Sequence, residues 1–317
     1  MTIVNTVLGP TESYKLGFTL SHEHISNGFG GSPFTFPEFL DRNATLERAV
    51  KDLSEARDEG LQTIMDVAPH DQGRDVKLQK EVSVRSGVNI VICTGTWLDV
   101  PRFFHGLPPD KIADMYVREI EEGIEDTGIK AAIIKVASDR GGVKPGEELV
   151  LRAAARASKR TGIPIMTHTW ALDRIGEEQV RIFTEEKLDP ELVCIGHSND
   201  TTDLSYLTKL LEKGVWLGMD RYPGEGPSVP GWRERSEIVK RLIDLGWGDR
   251  MMLAHDWDSS IGLHPAETRA AREAHNPDNY LFITRHVLPY LNKLGATDRD
   301  IEQLTVNNPR KYLEGTR

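Results

Sequence analysis

Two cysteines in 317 residues, no apolar run of bilayer-spanning length and no excess of positive charge set the first limits on this chain. Cys93 and Cys194 each sit inside an apolar, strand-like run with no Cys-x-x-Cys spacing. They read as reduced core thiols, which excludes a disulfide scaffold and a redox pair. Lys and Arg total 39 against 49 Asp and Glu, a net charge of -10 that repels phosphate backbones and anionic lipid alike. Nucleic acid and membranes are therefore excluded as partners, and a small-molecule substrate is expected. The opening Met1-Thr2-Ile3-Val4-Asn5 has no basic segment followed by an apolar core, so a cytoplasmic location is expected. A glycine-rich first turn of the dinucleotide-binding kind is also missing.

What the chain does have is apolar material, 38% of residues, arranged in a repeating order. Eight short apolar runs read as buried strands: Leu16 to Leu20, Thr63 to Ala68, Asn89 to Thr94, Lys130 to Val136, Ile163 to His168, Val193 to His197, Gly214 to Asp220 and Arg250 to Asp256. Between them lie stretches of helical period: Asn43 to Gly60, Val76 to Gly87, Pro109 to Gly128, Gly146 to Gly162, Glu177 to Glu186, Thr202 to Lys213 and Arg233 to Leu245. Eight such units fit an α/β fold of one kind, a single (β/α)8 TIM barrel over residues 1–317, better than an open doubly wound sheet. No linker or low-complexity segment divides the chain. Two further helices are expected from Asn279 onward, with Asn308-Pro309 starting the last.

In such barrels the chemistry sits at the carboxyl ends of the strands. Those ends supply His22 and His24 on the first strand, Lys135 on the fourth, His168 on the fifth, His197 on the sixth and Asp256 on the eighth. Residues two apart on a strand face the same way, so His22 and His24 leave it side by side. Any one of these residues has an ordinary structural use, but six at one level of one barrel point to a metal centre. Four imidazoles and a carboxylate suit zinc first, and also cobalt, manganese or iron. They exceed what one catalytic metal takes, which favours two divalent ions sharing a bridge. Lys135 is a donor only, yet burial beside cations would free its amine to add carbon dioxide. The resulting carbamate would bridge both metals. His70, His255 and His264 have no assigned role, and His255 would point away from Asp256 on a strand.

The motifs Ser21-His22-Glu23-His24, Ile133-Ile134-Lys135-Val136-Ala137, Met166-Thr167-His168-Thr169, Cys194-Ile195-Gly196-His197-Ser198 and Leu253-Ala254-His255-Asp256-Trp257, in this order, resemble those of the phosphotriesterase family of the amidohydrolase superfamily. The likeness runs on through Gly73-Arg74-Asp75-Val76, Gly123 to Lys130 and Asp203 to Leu207 to Val306-Asn307-Asn308-Pro309, covering essentially the whole chain. The resemblance implies a barrel with a binuclear centre and, commonly in this family, a homodimer. It implies that His22, His24 and Asp256 hold the buried metal, His168 and His197 the more exposed one, and carboxylated Lys135 joins them together with a bridging hydroxide. Asp256 is then the expected general base and proton shuttle.

The substrate signals divide. Met219-Asp220-Arg221-Tyr222 resembles the lactonases of the family, whereas Thr96-Trp97-Leu98-Asp99 and the long segment from Trp257 to Asn279 resemble the phosphotriesterases. Trp97, Arg221, Tyr222, Trp257, Ile261 and Leu263 are the expected pocket residues, and the glycine- and proline-rich run Tyr222 to Pro227 is expected to hold a fixed loop. A lactonase with promiscuous phosphotriesterase activity is the favoured reading. The alternatives are a dedicated aryldialkylphosphatase and a hydrolase of some other ester or amide. A reading from another class, with Lys135 as a Schiff-base lysine of a lyase or isomerase, leaves the four histidines without a task.

Overall fold

The computed structural model describes residues 2–224, 228–262 and 265–316. An antiparallel hairpin, β1 (Ile3–Thr6) and β2 (Gly9–Glu12), comes first and was not legible as strands in the sequence. Eight parallel strands follow: β3 (Thr19–Glu23), β4 (Thr63–Asp66), β5 (Asn89–Thr96), β6 (Ile133–Ala137), β7 (Ile165–His168), β8 (Val193–Ile195), β9 (Trp216–Met219) and β10 (Met251–Leu253). They pair in sequence order from β3 to β10. The ends of the sheet meet through the connection after β10, where Asp256 N donates to His22 O at 3.1 Å and His24 N to Trp257 O at 2.8 Å. The eight strands with their surrounding helices form the expected (β/α)8 barrel.

Side-chain alternation divides the apolar residues into two cores. Met65, Val91, Cys93, Ile133, Met166, Cys194, Trp216 and Met252 fill the barrel's interior, joined by Val4 from the hairpin and by Tyr312 and Leu313 from the last helix. Ile64, Ile90, Ile92, Ile134, Val136, Ile165, Ile195, Leu217, Met251 and Leu253 face outward onto the helices. Val7 N donates to Ile90 O at 2.9 Å, which seats the hairpin at the amino-terminal end of β5. Both thiols are free and buried among apolar neighbours, as expected.

The helices follow the predicted order with shifted ends. Asp41 and Asp75 cap Arg42–Asp58 and Val76–Ser86 by accepting from Ala44 N and Leu78 N. The helix expected to reach Gly128 stops at Glu121. Gly123, at φ 133°, turns the chain so tightly that a Cβ there would lie 2.9 Å from Gly128. The last loop holds an additional helix, Ala266–His275, and the carboxyl-terminal helices contain π-helical turns at Ile283–Val287 and Gln303–Asn307. Leu263, His264 and the stretch 225–227 of the Tyr222 to Pro227 loop lie outside the described residues. Among the described residues no helix is long and apolar enough to cross a membrane.

One buried ion pair ties the barrel to its helical layer. Arg74 donates to both carboxylate oxygens of Glu119 at 2.8 Å and to Cys93 O at 3.0 Å, and Thr94 Oγ1 donates to the same carboxylate. Removing one partner of such a pair leaves the other charged and dry. Glu119→Ala is expected to cost about 3 to 5 kcal/mol in urea unfolding. Glu47→Ala, which breaks only the exposed pair with Arg85, should cost under about 1 kcal/mol.

Candidate active site

The site begins with an irregularity in β3. Leu20 packs outward against the helices, so in an unbroken strand His22 and His24 would face outward too. The register of β3 on β4 shifts between Leu20 and Glu23, and the bulge turns both imidazoles inward. Their ring centroids are 5.6 Å apart. Glu23 between them faces the other way and binds the chain after β10: Oε1 accepts from His255 N at 2.9 Å and Nδ1 at 2.7 Å, and Oε2 from Trp257 N at 2.9 Å. His255 Nε2 accepts from Ile283 N at 3.0 Å. His255 therefore points away from the barrel mouth and positions the peptide that carries Asp256.

Asp220, wholly buried one residue beyond β9, organises the centre. His22 Nδ1 lies 2.8 Å from one of its oxygens, and His197 Nδ1 and N lie 3.0 and 2.7 Å from the other. Burial alone would raise the pKa of Asp220, but His197 and His22 reverse this and bring it far below the ordinary carboxylate range. An ionised carboxylate only accepts, so both Nδ1 atoms carry protons. Burial lowers His22 to about 4, helped by Lys135, and lowers His197 well below its usual value, helped by Arg221. Both rings are therefore neutral and present Nε2 lone pairs inward.

Those lone pairs meet the remaining predicted residues. His22 Nε2 is 2.8 Å from Lys135 Nζ, and His197 Nε2 is 2.9 Å from His168 Nδ1. His24 Nε2 is 3.1 Å and His22 Nε2 3.5 Å from Asp256 Oδ1. The structure thus brings together all six residues picked from the strand ends. His197 and Asp256 reach the centre from left-handed backbone, at φ 56° and 57°, rather than from the strands proper. Burial depresses Lys135 to about 8. Burial opposes ionisation of Asp256, but His197, Arg221 and His22 more than compensate and keep it charged. Neutral imidazoles and an ionised carboxylate form a donor set suited to a divalent cation. The ligand atoms of His22, His24 and Asp256 lie within 4.8 Å of one another, as do those of His22, His197 and Asp220.

Beside the centre is a cavity of about 370 Å³ lined by Arg221, Tyr222, Asp256 and Trp257, with Arg140 and Trp170 among the other walls. Arg221 turns onto the centre. Its Nε contacts Asp256 Oδ2 at 2.9 Å and its Nη1 contacts Asp200 Oδ2 at 2.8 Å. Trp97 stands edge-on to His168, 5.6 Å between centroids, with its backbone N held 2.9 Å from both oxygens of Asp71. Ile261 lines a neighbouring cleft behind Trp257, not this cavity, because its backbone is bonded to Asp41 and Thr45. Asp220, Asp200, Arg140, Trp170 and Arg272 were not picked out from sequence. The available clue to Asp220 is Gly218, where a Cβ would come within 2.3 Å of its carboxylate.

A parallel barrel with neutral imidazoles and an ionised carboxylate gathered at its strand ends is the framework of a metal-dependent hydrolase. The model of the phosphotriesterase family matches residues 2–313. The phosphotriesterase homology protein of Mycobacterium tuberculosis strain H37Rv is 40% identical, the match covering 98% of this chain and 97% of that protein. The aryldialkylphosphatase of Saccharolobus solfataricus is 34% identical over 95% of this chain and 96% of that one. The solved structure of the phosphotriesterase from Mycobacterium tuberculosis superposes with a TM-score of 0.92 at 39% identity, covering 99% of this chain and 98% of that chain. The chain belongs to the phosphotriesterase family and is a hydrolase of that family.

Two outcomes follow from this geometry. Asp220→Asn can no longer accept from both imidazoles as a carboxylate, and metal affinity should fall by about 10- to 100-fold, read as metal retained on dialysis against a graded chelator. Burial pushes the Asp71 carboxyl up to about 6 from its ordinary 3.8, so the folded state binds this proton more tightly than the unfolded chain. The penalty is complete above the folded value and is relieved as pH falls towards the unfolded one. Wild type should therefore gain on the order of 3 kcal/mol relative to Asp71→Asn between pH about 7 and about 4 in urea unfolding.

Proposed function

We propose that this chain is a binuclear metal-dependent lactonase that also hydrolyses organophosphate triesters. The observation that carries the reading is Arg221 resting on Asp256, with Tyr222 beside it in the cavity wall. In this reading His22, His24 and Asp256 hold one divalent cation, His168 and His197 hold a second, and carboxylated Lys135 joins them. With its pKa depressed to about 8, Lys135 has a free-amine fraction near neutral pH, the form that adds carbon dioxide. The bound cations, zinc first among the candidates, supply a nucleophilic hydroxide at neutral pH and polarise the acyl or phosphoryl oxygen.

The chain's own residues do the rest. Asp256 stays ionised and accepts the proton released as the nucleophile attacks. Arg221 orients that carboxylate and, through Asp200, is itself anchored to Arg235, whose Nη1 lies 2.8 Å from the other oxygen of Asp200. Asp220 fixes the tautomer and aim of His22 and His197, which burial keeps neutral. Tyr222, Trp257 and Trp97 wall the site and exclude water from the reacting bond. The name of the Saccharolobus relative supports turnover of triesters as well.

The test is kcat/KM of the metal-reconstituted protein on simple and acyl lactones beside an aryl dialkyl phosphate, with His168→Ala as the blank. Lactones should lead by at least about 100-fold, and Asp256→Asn with metals retained should lose about 100-fold or more in kcat. A lead for the triester would make the protein an aryldialkylphosphatase, with Trp97 and the last loop as the better guides to substrate.

A further inference from the structure

Among the described residues the charges in the cavity wall do not balance, and the imbalance points to a substrate feature. Arg140, Arg221 and Arg272 line it against two carboxylates, Asp200 and Asp256. Arg221 is shared between both carboxylates, and Asp200 is also bound by Arg235. Arg272 contacts Asp258 and lies over the Trp257 ring. Arg140 alone of the three has no carboxylate within ion-pairing distance among the described residues.

Arg140 is exposed, but its side chain is held in place by a ring. Its guanidinium carbon sits 3.9 Å from the centroid of the Trp170 ring, closer than any other cation over a ring among the described residues. Stacking engages the flat face of a guanidinium and leaves its N–H edge available, the edge that matches a carboxylate through two parallel hydrogen bonds. Arg140 follows β6 and Trp170 follows β7, so the pair stands at the cavity rim on the connections adjoining Lys135 and His168. Asp139, its sequence neighbour, is directed instead at His168, 3.8 Å from Nε2.

We propose that the substrate carries a carboxylate in addition to the bond that is hydrolysed, and that Arg140, stacked on Trp170, binds it. This rests on the hydrolase reading above. One cation without a partner matches a monoanion. A phosphate dianion would need a second, and Arg221 and Arg272 already have carboxylates.

The experiment compares a γ-lactone bearing a side-chain carboxylate with its methyl ester, on metal-reconstituted wild type, Arg140→Ala and Arg140→Lys. Wild type should prefer the carboxylate by about 10- to 100-fold in kcat/KM, mostly through KM. The ratio should collapse towards one in Arg140→Ala and be partly kept in Arg140→Lys. No preference in wild type, or a preference that survives Arg140→Ala, overturns the proposal while leaving the hydrolase reading intact. If neither lactone is turned over, the lactonase reading fails, and calorimetric binding of the same two lactones decides separately. Binding of the carboxylate form weakened about 10-fold or more by Arg140→Ala supports the proposal, and equal binding overturns it.

Discussion

The buried carboxylate of Asp220 is the constraint on which the centre depends. It accepts hydrogen bonds from Nδ1 of His22, on β3, and of His197, just after β8. That one interaction selects the tautomer of each ring and sends two lone pairs to the same place, while burial keeps both rings neutral. Gly218 and Gly196 leave room for it: a Cβ on either would approach the Asp220 oxygen to 2.3 and 3.3 Å. The barrel wall is thinned at this point so that a charge can be held inside it.

A second carboxylate performs the corresponding task on the other side. Glu23, between His22 and His24, takes the backbone N–H of His255 and Trp257 and so sets where Asp256 lies between them. Closure of the barrel and assembly of the centre are therefore one event. The bonds that join β3 to the chain after β10 are made by His22, His24, Asp256 and Trp257 themselves. A sequence change that loosened this seam would disturb the ligands before it disturbed the rest of the sheet.

The cavity beside the centre has a different character. Its acidic groups, Asp200 and Asp256, are engaged by arginines, and its aromatic walls are held by backbone and burial rather than by each other. The groups that can discriminate one substrate from another stand at the rim rather than in the buried centre. The rim is where arginines from several connections meet, so changes in loop sequence can alter it without touching the six residues of the centre.

The order of elements and the six residues at the strand ends were legible in the sequence, because burial on both faces writes strands as continuous apolar runs and barrel chemistry is confined to one end of them. The opposite facing of His255 and Asp256 was legible for the same reason, from simple alternation. The direction in which His22 and His24 point was not, since alternation from Leu20 places them outside and only the bulge in β3 turns them in. Nor could the inward swing of His197 be read, because alternation from Cys194 faces it outward and its own left-handed backbone turns it in. The same holds for Asp220 and for Arg140 on Trp170, whose partners are 23 or more residues away in sequence. The sequence by itself determined the barrel, the six residues gathered at its strand ends and its family. The tertiary structure decided tautomers, ionisation and the charge of the substrate cavity, because these depend on distances between connections that no local pattern encodes.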